Sequence, residues 1–200
     1  MSRFLIGIDL GTTNSAIGFI DLKAVGRAPA PTIQTFAIPQ LVGPAQTAPR
    51  PLLPSFLYIP GQYDLPAGAT ALPWSKDNAS IVGEFARSHG SKVPGRLVTS
   101  AKSWLCHSGV DRTSPLLPWN APPDVARLSP LEVSTQYLKH MAQAWNAVPG
   151  RAVADDFREQ QIVLTVPASF DDVARNLTVQ AARDAGLKNV ALLEEPQAAF

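Results

Sequence analysis

Residues Leu5-Ile6-Gly7-Ile8-Asp9-Leu10-Gly11-Thr12-Thr13-Asn14-Ser15-Ala16-Ile17-Gly18-Phe19 decide how this chain is read. Two strand-like apolar runs, Phe4-Leu5-Ile6 and Ala16-Ile17-Gly18-Phe19-Ile20, enclose a carboxylate, a glycine turn and two hydroxyls. This is chemistry suited to a magnesium-bound triphosphate. Gly11 tolerates positive φ and lets backbone approach a ligand closely. The amides and hydroxyls of Thr12 and Thr13 can donate to phosphate oxygens. Asp9, at a strand end, is a hard oxygen ligand for magnesium or its waters. The same residues also suit an ordinary β-hairpin with a polar turn, and the stretch alone leaves both readings open.

Composition narrows the field. Two hundred residues make one substantial domain or two small ones. With 46% hydrophobic and 16% charged residues, a buried core is expected and wholesale disorder is not. A net charge of +1 without a long basic run points away from nucleic acid. The single cysteine, Cys106, rules out a disulfide framework and fits a reducing, cytoplasmic setting; it reads as a packed small side chain. No run of about 18 apolar residues is present, so no membrane span is expected. Met-Ser-Arg-Phe-Leu lacks a signal-peptide layout. The end at Ala198-Ala199-Phe200 reads as a break within an element.

Working outward, the segment from Phe4 to Ile38 reads as three strands, the third from Thr32 to Ile38 behind Pro29-Ala30-Pro31. Gln40 to Pro54 reads as a proline-rich connection, unfit for a central strand or a helix. Short strands are expected at Ser55 to Ile59 and Ser80 to Gly83, then helices at Glu84 to Ser88 and Leu97 to Leu105. Ser108 to Arg127, with Pro115, Pro118, Pro122 and Pro123, reads as a surface excursion. Ser129-Pro130-Leu131-Glu132 is a capping box with proline at the first helical position. Its helix runs to about Val148, with Leu131, Leu138, Met141, Ala142 and Trp145 on one face. A strand at Gln161 to Val166, a helix from Asp171 to Ala185 capped by Gly186, a strand at Asn189 to Leu193 and a helix opening at Glu195-Pro196 follow. Alternating helix and strand means α/β.

Four stretches, in this order, resemble the nucleotide-binding domain of DnaK-type chaperones, the seventy-kilodalton heat-shock protein family. They are Gly7 through Ser15; Val82-Gly83 through Ala101-Lys102; Val166-Pro167-Ala168-Ser169-Phe170-Asp171-Asp172 with Arg175 and Ala185-Gly186-Leu187; and Glu194-Glu195-Pro196-Gln197-Ala198-Ala199. Residues 21–53 and 106–128 match poorly. The resemblance implies an actin-like ATPase (ribonuclease H-like) α/β lobe, the domain's N-terminal one. Its core would be 1–55 and 129–200, with a smaller inserted α/β subdomain at 56–128. The second lobe and the substrate-binding domain would be absent.

The resemblance also assigns roles. Asp9 matches the family's magnesium-side carboxylate, acting through water. Gly11, Thr12, Thr13 and Asn14 match the phosphate-gripping turn. Lys102 matches the lysine that reaches the γ-phosphate, and Glu195 the carboxylate of the magnesium and water network. Pro167 and Arg175 match residues that relay nucleotide state to the substrate-binding domain. Departures are Ser103, where the family has arginine, and Glu194 and Gln197 around Glu195. The implied ligands are ATP or ADP with Mg2+, and the implied partners are unfolded polypeptides and co-chaperones, with no nucleic acid and no membrane. Two other readings remain: a sugar or metabolite kinase of the same superfamily, whose first hairpin is similar, and a degenerate, non-enzymatic scaffold. His89, His107 and His140 show no metal spacing.

Overall fold

A computed structural model describes residues 2–25 and 31–199. The Pro29-Ala30 approach to the third strand and the terminal Phe200 lie outside them. The scaffold is a six-stranded mixed sheet in the order β11-β10-β1-β2-β3, with β6 also pairing β2. These strands are β1 (Phe4–Leu10), β2 (Asn14–Asp21), β3 (Gln34–Thr35), β6 (Leu53–Pro54), β10 (Gln161–Val166) and β11 (Asn189–Glu194). β1 and β2 form the antiparallel hairpin, while β1, β10 and β11 run parallel. The parallel pair β10–β11 requires a crossover, which α4 (Asp172–Asp184) supplies.

Strand alternation gives the sheet two unlike faces. Phe4, Ile6, Ile8 and Leu10 of β1, Ile17 of β2, and Ile162 and Leu164 of β10 are buried in the main core. Register sets them side by side: Ile6 opposite Ile162, and Ile8 between Leu164 and Ile17. Helix α3 (Pro130–Asn146) supplies Val133, Tyr137, Leu138, Met141, Ala142 and Trp145 to this same core. Its capping box is formed: Glu132 N–H donates to Ser129 Oγ at 3.1 Å, and Ser129 N–H to Glu132 Oε2 at 2.7 Å. Trp145, fully buried, sits among the rings of Phe4, Phe19, Phe36 and Phe157, and its indole N–H donates to Asp155 O. Leu131, expected on this face, is only partly buried.

Asp171 N-caps α4 by accepting from Ala174 N–H at 2.7 Å. Gly186, at φ 84°, ends it: Leu187 N–H reaches back to Ala182 O.

Residues 57–98 build a second, three-stranded sheet, β8 (Ile81–Val82), β7 (Leu57–Tyr58) and β9 (Leu97–Val98), with α1 (Glu84–Gly90) against it. Leu57, Val82 and Val98 enter the main core. Tyr58, Ile81, Phe85 and Ala86 form a separate cluster, which Leu41 joins.

Three expectations are corrected. Gln40 to Pro54 is not a plain connection, because β4 (Ile38–Gly43) and β5 (Gln46–Arg50) pair as an antiparallel ribbon. Pro39 stands opposite Pro49 in it. A two-stranded ribbon leaves one edge of each strand free, and there a missing N–H breaks no ladder bond. The third strand of the main sheet shrinks to Gln34–Thr35, since Ile38 is already committed to the ribbon. Leu97–Val98 is strand, not the start of a helix; α2 (Ala101–Leu105) begins only after Ser100, whose left-handed backbone (φ 55°) turns the chain.

His140 is buried, with Nε2–H donating to Pro39 O at 3.0 Å, which ties α3 to the ribbon. Burial pushes its pKa down from 6.5 to about 4. Between those values the folded chain binds fewer protons than the unfolded one, so this residue's contribution to stability is lost as pH falls through that window. Urea unfolding at pH 7, 5.5 and 4.5 is expected to show a steeper acid loss in wild type than in His140→Gln; equal slopes would contradict it.

Candidate functional site

The face of the sheet opposite α3 mixes small and polar side chains with apolar ones such as Leu5, Ile20 and Val163. Gly7 and Asp9 of β1, Ala16 and Gly18 of β2, and Thr165 of β10 line an open cleft of about 770 Å³. Gly11, Thr12, Lys102, Pro167 and Glu195 also border it. The sheet thus brings together residues separated by nearly the whole chain.

The β1–β2 turn is held from outside the hairpin. Ser55 Oγ donates to Gly11 O at 2.7 Å, Ser15 Oγ meets Ser55 Oγ at 2.9 Å, and Ser55 N–H donates to Thr13 O at 2.9 Å. The turn carbonyls are therefore satisfied from behind, leaving Thr12 and Thr13 exposed. A methyl group on Gly11 would lie 2.1 Å from Asn14 O, so the turn has room only for glycine. Thr13 and Asn14 do not border the cleft as Thr12 does; Asn14 opens β2 and pairs with Pro54. Asp9 sits opposite Thr165, whose hydroxyl donates to Asp9 Oδ1 at 3.3 Å.

Lys102 extends from α2 and Glu195 opens α5 (Glu195–Ala198), directly after β11. Lys102 Nζ donates to Glu195 Oε1 at 2.6 Å, with the lysine side chain 10% and the glutamate 43% exposed. A charge-assisted bond of that length fixes a long lysine that would otherwise sample many rotamers. The Lys102 ammonium also stands 5.8 Å from the centre of the Phe170 ring.

Phe170 joins Pro167 to Arg175. Its N–H donates to Pro167 O at 3.1 Å, and its carbonyl accepts from Arg175 Nε–H at 3.2 Å. Arg175 also pairs with Glu194 at 2.7 Å, the residue before Glu195. Arg175 itself does not border the cleft. Glu194, one of the departures from the resembled pattern, thus has a partner.

Sequence reasoning missed Ser55, Thr165 and Phe170 as parts of this site. Ser55 follows the Leu53–Pro54 strand that pairs with β2, a long-range pairing no local pattern announces. Cys106 is corrected: it is exposed rather than packed, and its thiol donates to Lys102 O at 3.4 Å. Partial burial raises its pKa, so it is not an activated thiolate. Among the described residues no three His, Cys, Asp or Glu side chains converge as a metal cage, and no helix is long and apolar enough to cross a membrane.

Comparison with known proteins decides the family. The family described as Hsp70 protein matches residues 72–200. This chain belongs to the Hsp70 family. Its similarity extends to the chaperone protein HscA of Enterobacter sp. (strain 638), 32% identical over 98% of this chain and 28% of the relative. HscA homologues of Laribacter hongkongensis (strain HLHK9) and Bordetella pertussis (strain Tohama I) are each 31% identical over 98% of this chain, and over 28% and 27% of their own lengths. The chain therefore spans little more than a quarter of these relatives. The mixed α/β architecture fits the actin-like ATPase fold of the Hsp70 family, and membership favours the chaperone reading over the metabolite-kinase one.

Gly11→Ala is expected to destabilise the chain by about 1–3 kcal/mol, because the clash is with backbone and cannot relax by a rotamer change. Urea denaturation measures it; a midpoint unchanged from wild type would contradict the tight turn.

Proposed function

We propose that residues 1–200 are the N-terminal part of the ATP-binding and ATP-hydrolysing domain of an Hsp70-type chaperone. In this reading 1–55 and 129–200 are its core lobe and 56–128 an inserted subdomain. The observation that carries the reading is the meeting of Lys102 and Glu195 beside the cleft that Asp9, Gly11 and Thr12 border. The second wall of the ATP site belongs to a lobe outside these residues.

Thr12 and Thr13 donate amide and hydroxyl hydrogens to phosphate oxygens, and Gly11 allows the backbone to come close. Magnesium, when bound with the nucleotide, would neutralise phosphate charge. Asp9 and Glu195, the carboxylates on the cleft wall, suit it by holding its waters, since magnesium keeps much of its hydration. Lys102 offers a positioned cation to the transferring phosphoryl group. Glu195, released from Lys102, accepts a hydrogen bond from the attacking water. Pro167, Phe170 and Arg175 connect this centre to the β10–α4 turn, and we assign them the relay of nucleotide state to a substrate-binding domain. Clients are unfolded polypeptides, assisted by co-chaperones, in a cytoplasmic setting that accords with the lone free cysteine.

Replacing Lys102 with alanine in the full-length protein is expected to slow single-turnover hydrolysis by about 10²–10³-fold while nucleotide affinity changes little. Unchanged hydrolysis would refute the assignment. Full chaperone activity without hydrolysis would favour the non-enzymatic scaffold instead. Residues 1–200 alone are expected to bind Mg-ATP weakly in calorimetry, because half of the cleft is missing; micromolar affinity would contradict the split site.

A further inference from the structure

The stretch between α2 and α3 contains none of the four motif stretches quoted from the sequence, yet it sends one arginine inward. Arg112 is only 7% exposed. A charge that deep needs a partner, and it has a bidentate one. Its Nη1–H donates to Asp171 Oδ1 at 2.8 Å and its Nη2–H to Asp171 Oδ2 at 2.7 Å. The remaining Nε–H donates to His107 O at 3.3 Å, just past the C-terminal end of α2.

The turn that presents Arg112 is built in advance. Asp111 accepts from the N–H and hydroxyl of Thr113, at 2.9 and 2.6 Å, and from the Ser114 hydroxyl at 2.6 Å. Such a side-chain-to-backbone turn fixes the arginine before it meets its partner. At the other end, Asp171 is also the N-cap of α4. The Arg112 guanidinium, and then the Ala174 N–H, hold its carboxyl down at about 2, so the fork stays charged through the physiological range.

The two anchors of the fork flank Lys102. His107 follows the helix that carries this lysine. Asp171 follows Phe170, whose ring lies beneath the lysine's ammonium. Helix α2 is only five residues long and opens on a left-handed Ser100, so it has little rigidity of its own. We propose that Arg112 is a positioning residue: by clamping the end of α2 to the β10–α4 turn, it holds Lys102 where it can meet the transferring phosphoryl group. This rests on the function proposed above. It also gives the otherwise unassigned 108–127 segment a task, and it links Lys102 to the turn that carries Pro167 and leads into α4 with Arg175.

The test is single-turnover hydrolysis of radiolabelled Mg-ATP by the full-length protein, with nucleotide affinity measured alongside. Arg112→Ala is expected to lower the hydrolysis rate by about ten- to a hundredfold, the range for a misplaced catalytic group, with affinity for Mg-ATP within about threefold of wild type. Arg112→Lys, which keeps the charge but not the fork, is expected to recover part of the rate. Asp171→Asn keeps an N-cap acceptor while breaking the fork, so it reads the same effect if Arg112→Ala does not fold. The two losses are expected not to add in the double variant. Wild-type rates in Arg112→Ala and Asp171→Asn, in a protein that Lys102→Ala inactivates, would overturn the positioning role alone. Equal losses of rate and affinity would also overturn it, as a general structural effect. A wild-type protein without hydrolysis would overturn the proposed function and this inference with it.

Discussion

Alternation along β1 divides its side chains between two environments. Ile6 and Ile8 are fully buried against α3, and Gly7 and Asp9 face the cleft. The parallel register with β10 locks that division, since Ile8 lies opposite Leu164 and Asp9 opposite Thr165. A slip by one residue would push Asp9 into the core and Ile8 into solvent. Burying a carboxylate beside Leu164 and Ile17 would cost far more than any single contact could return. The position of Asp9 on the cleft wall is therefore enforced by hydrophobic burial on the other side of the sheet.

Around that wall, ordering comes from polar ties that span the chain. Ser55 fastens the β1–β2 turn from just beyond β6, some forty residues away. Lys102 and Glu195 connect α2 to the end of β11, and Arg175 secures the residue before Glu195. Because these charges are partly withdrawn from water, their pairing specifies geometry more than it adds stability. The cleft wall is thus tied together from distant parts of the chain.

The elements with strong local signals were legible in the sequence. The capping box of Ser129 and Glu132, the apolar run Ile162–Val166 and the glycine after α4 each carry their own instruction, and each formed as read. The hairpin was legible as a hairpin, and the family resemblance placed Asp9, Gly11, Thr12, Lys102 and Glu195 along one cleft. What stayed hidden depends on distant pairing. Proline count argued against a strand at Pro49, within Gln40 to Pro54, but a ribbon with free edges accommodates it and Pro39 opposite. The helical pattern at Leu97 misled because Leu97 and Val98 are recruited by β7. The charge pairs of Arg175 and Arg112 join residues that no periodicity relates, so their partners could be found only in three dimensions.

Trp104 stands two residues beyond Lys102, and its indole stacks on Trp119 with ring centres 4.8 Å apart and planes inclined by 20°. His107 stacks on Trp104 from the same short segment. Two indoles at that separation couple their excited states, and the coupling changes sharply with distance and tilt. Trp145, by contrast, is sealed in the core. The molecule therefore carries its own optical gauge of α2: a far-ultraviolet circular dichroism couplet from the Trp104–Trp119 pair would track the lysine-bearing helix without any attached dye.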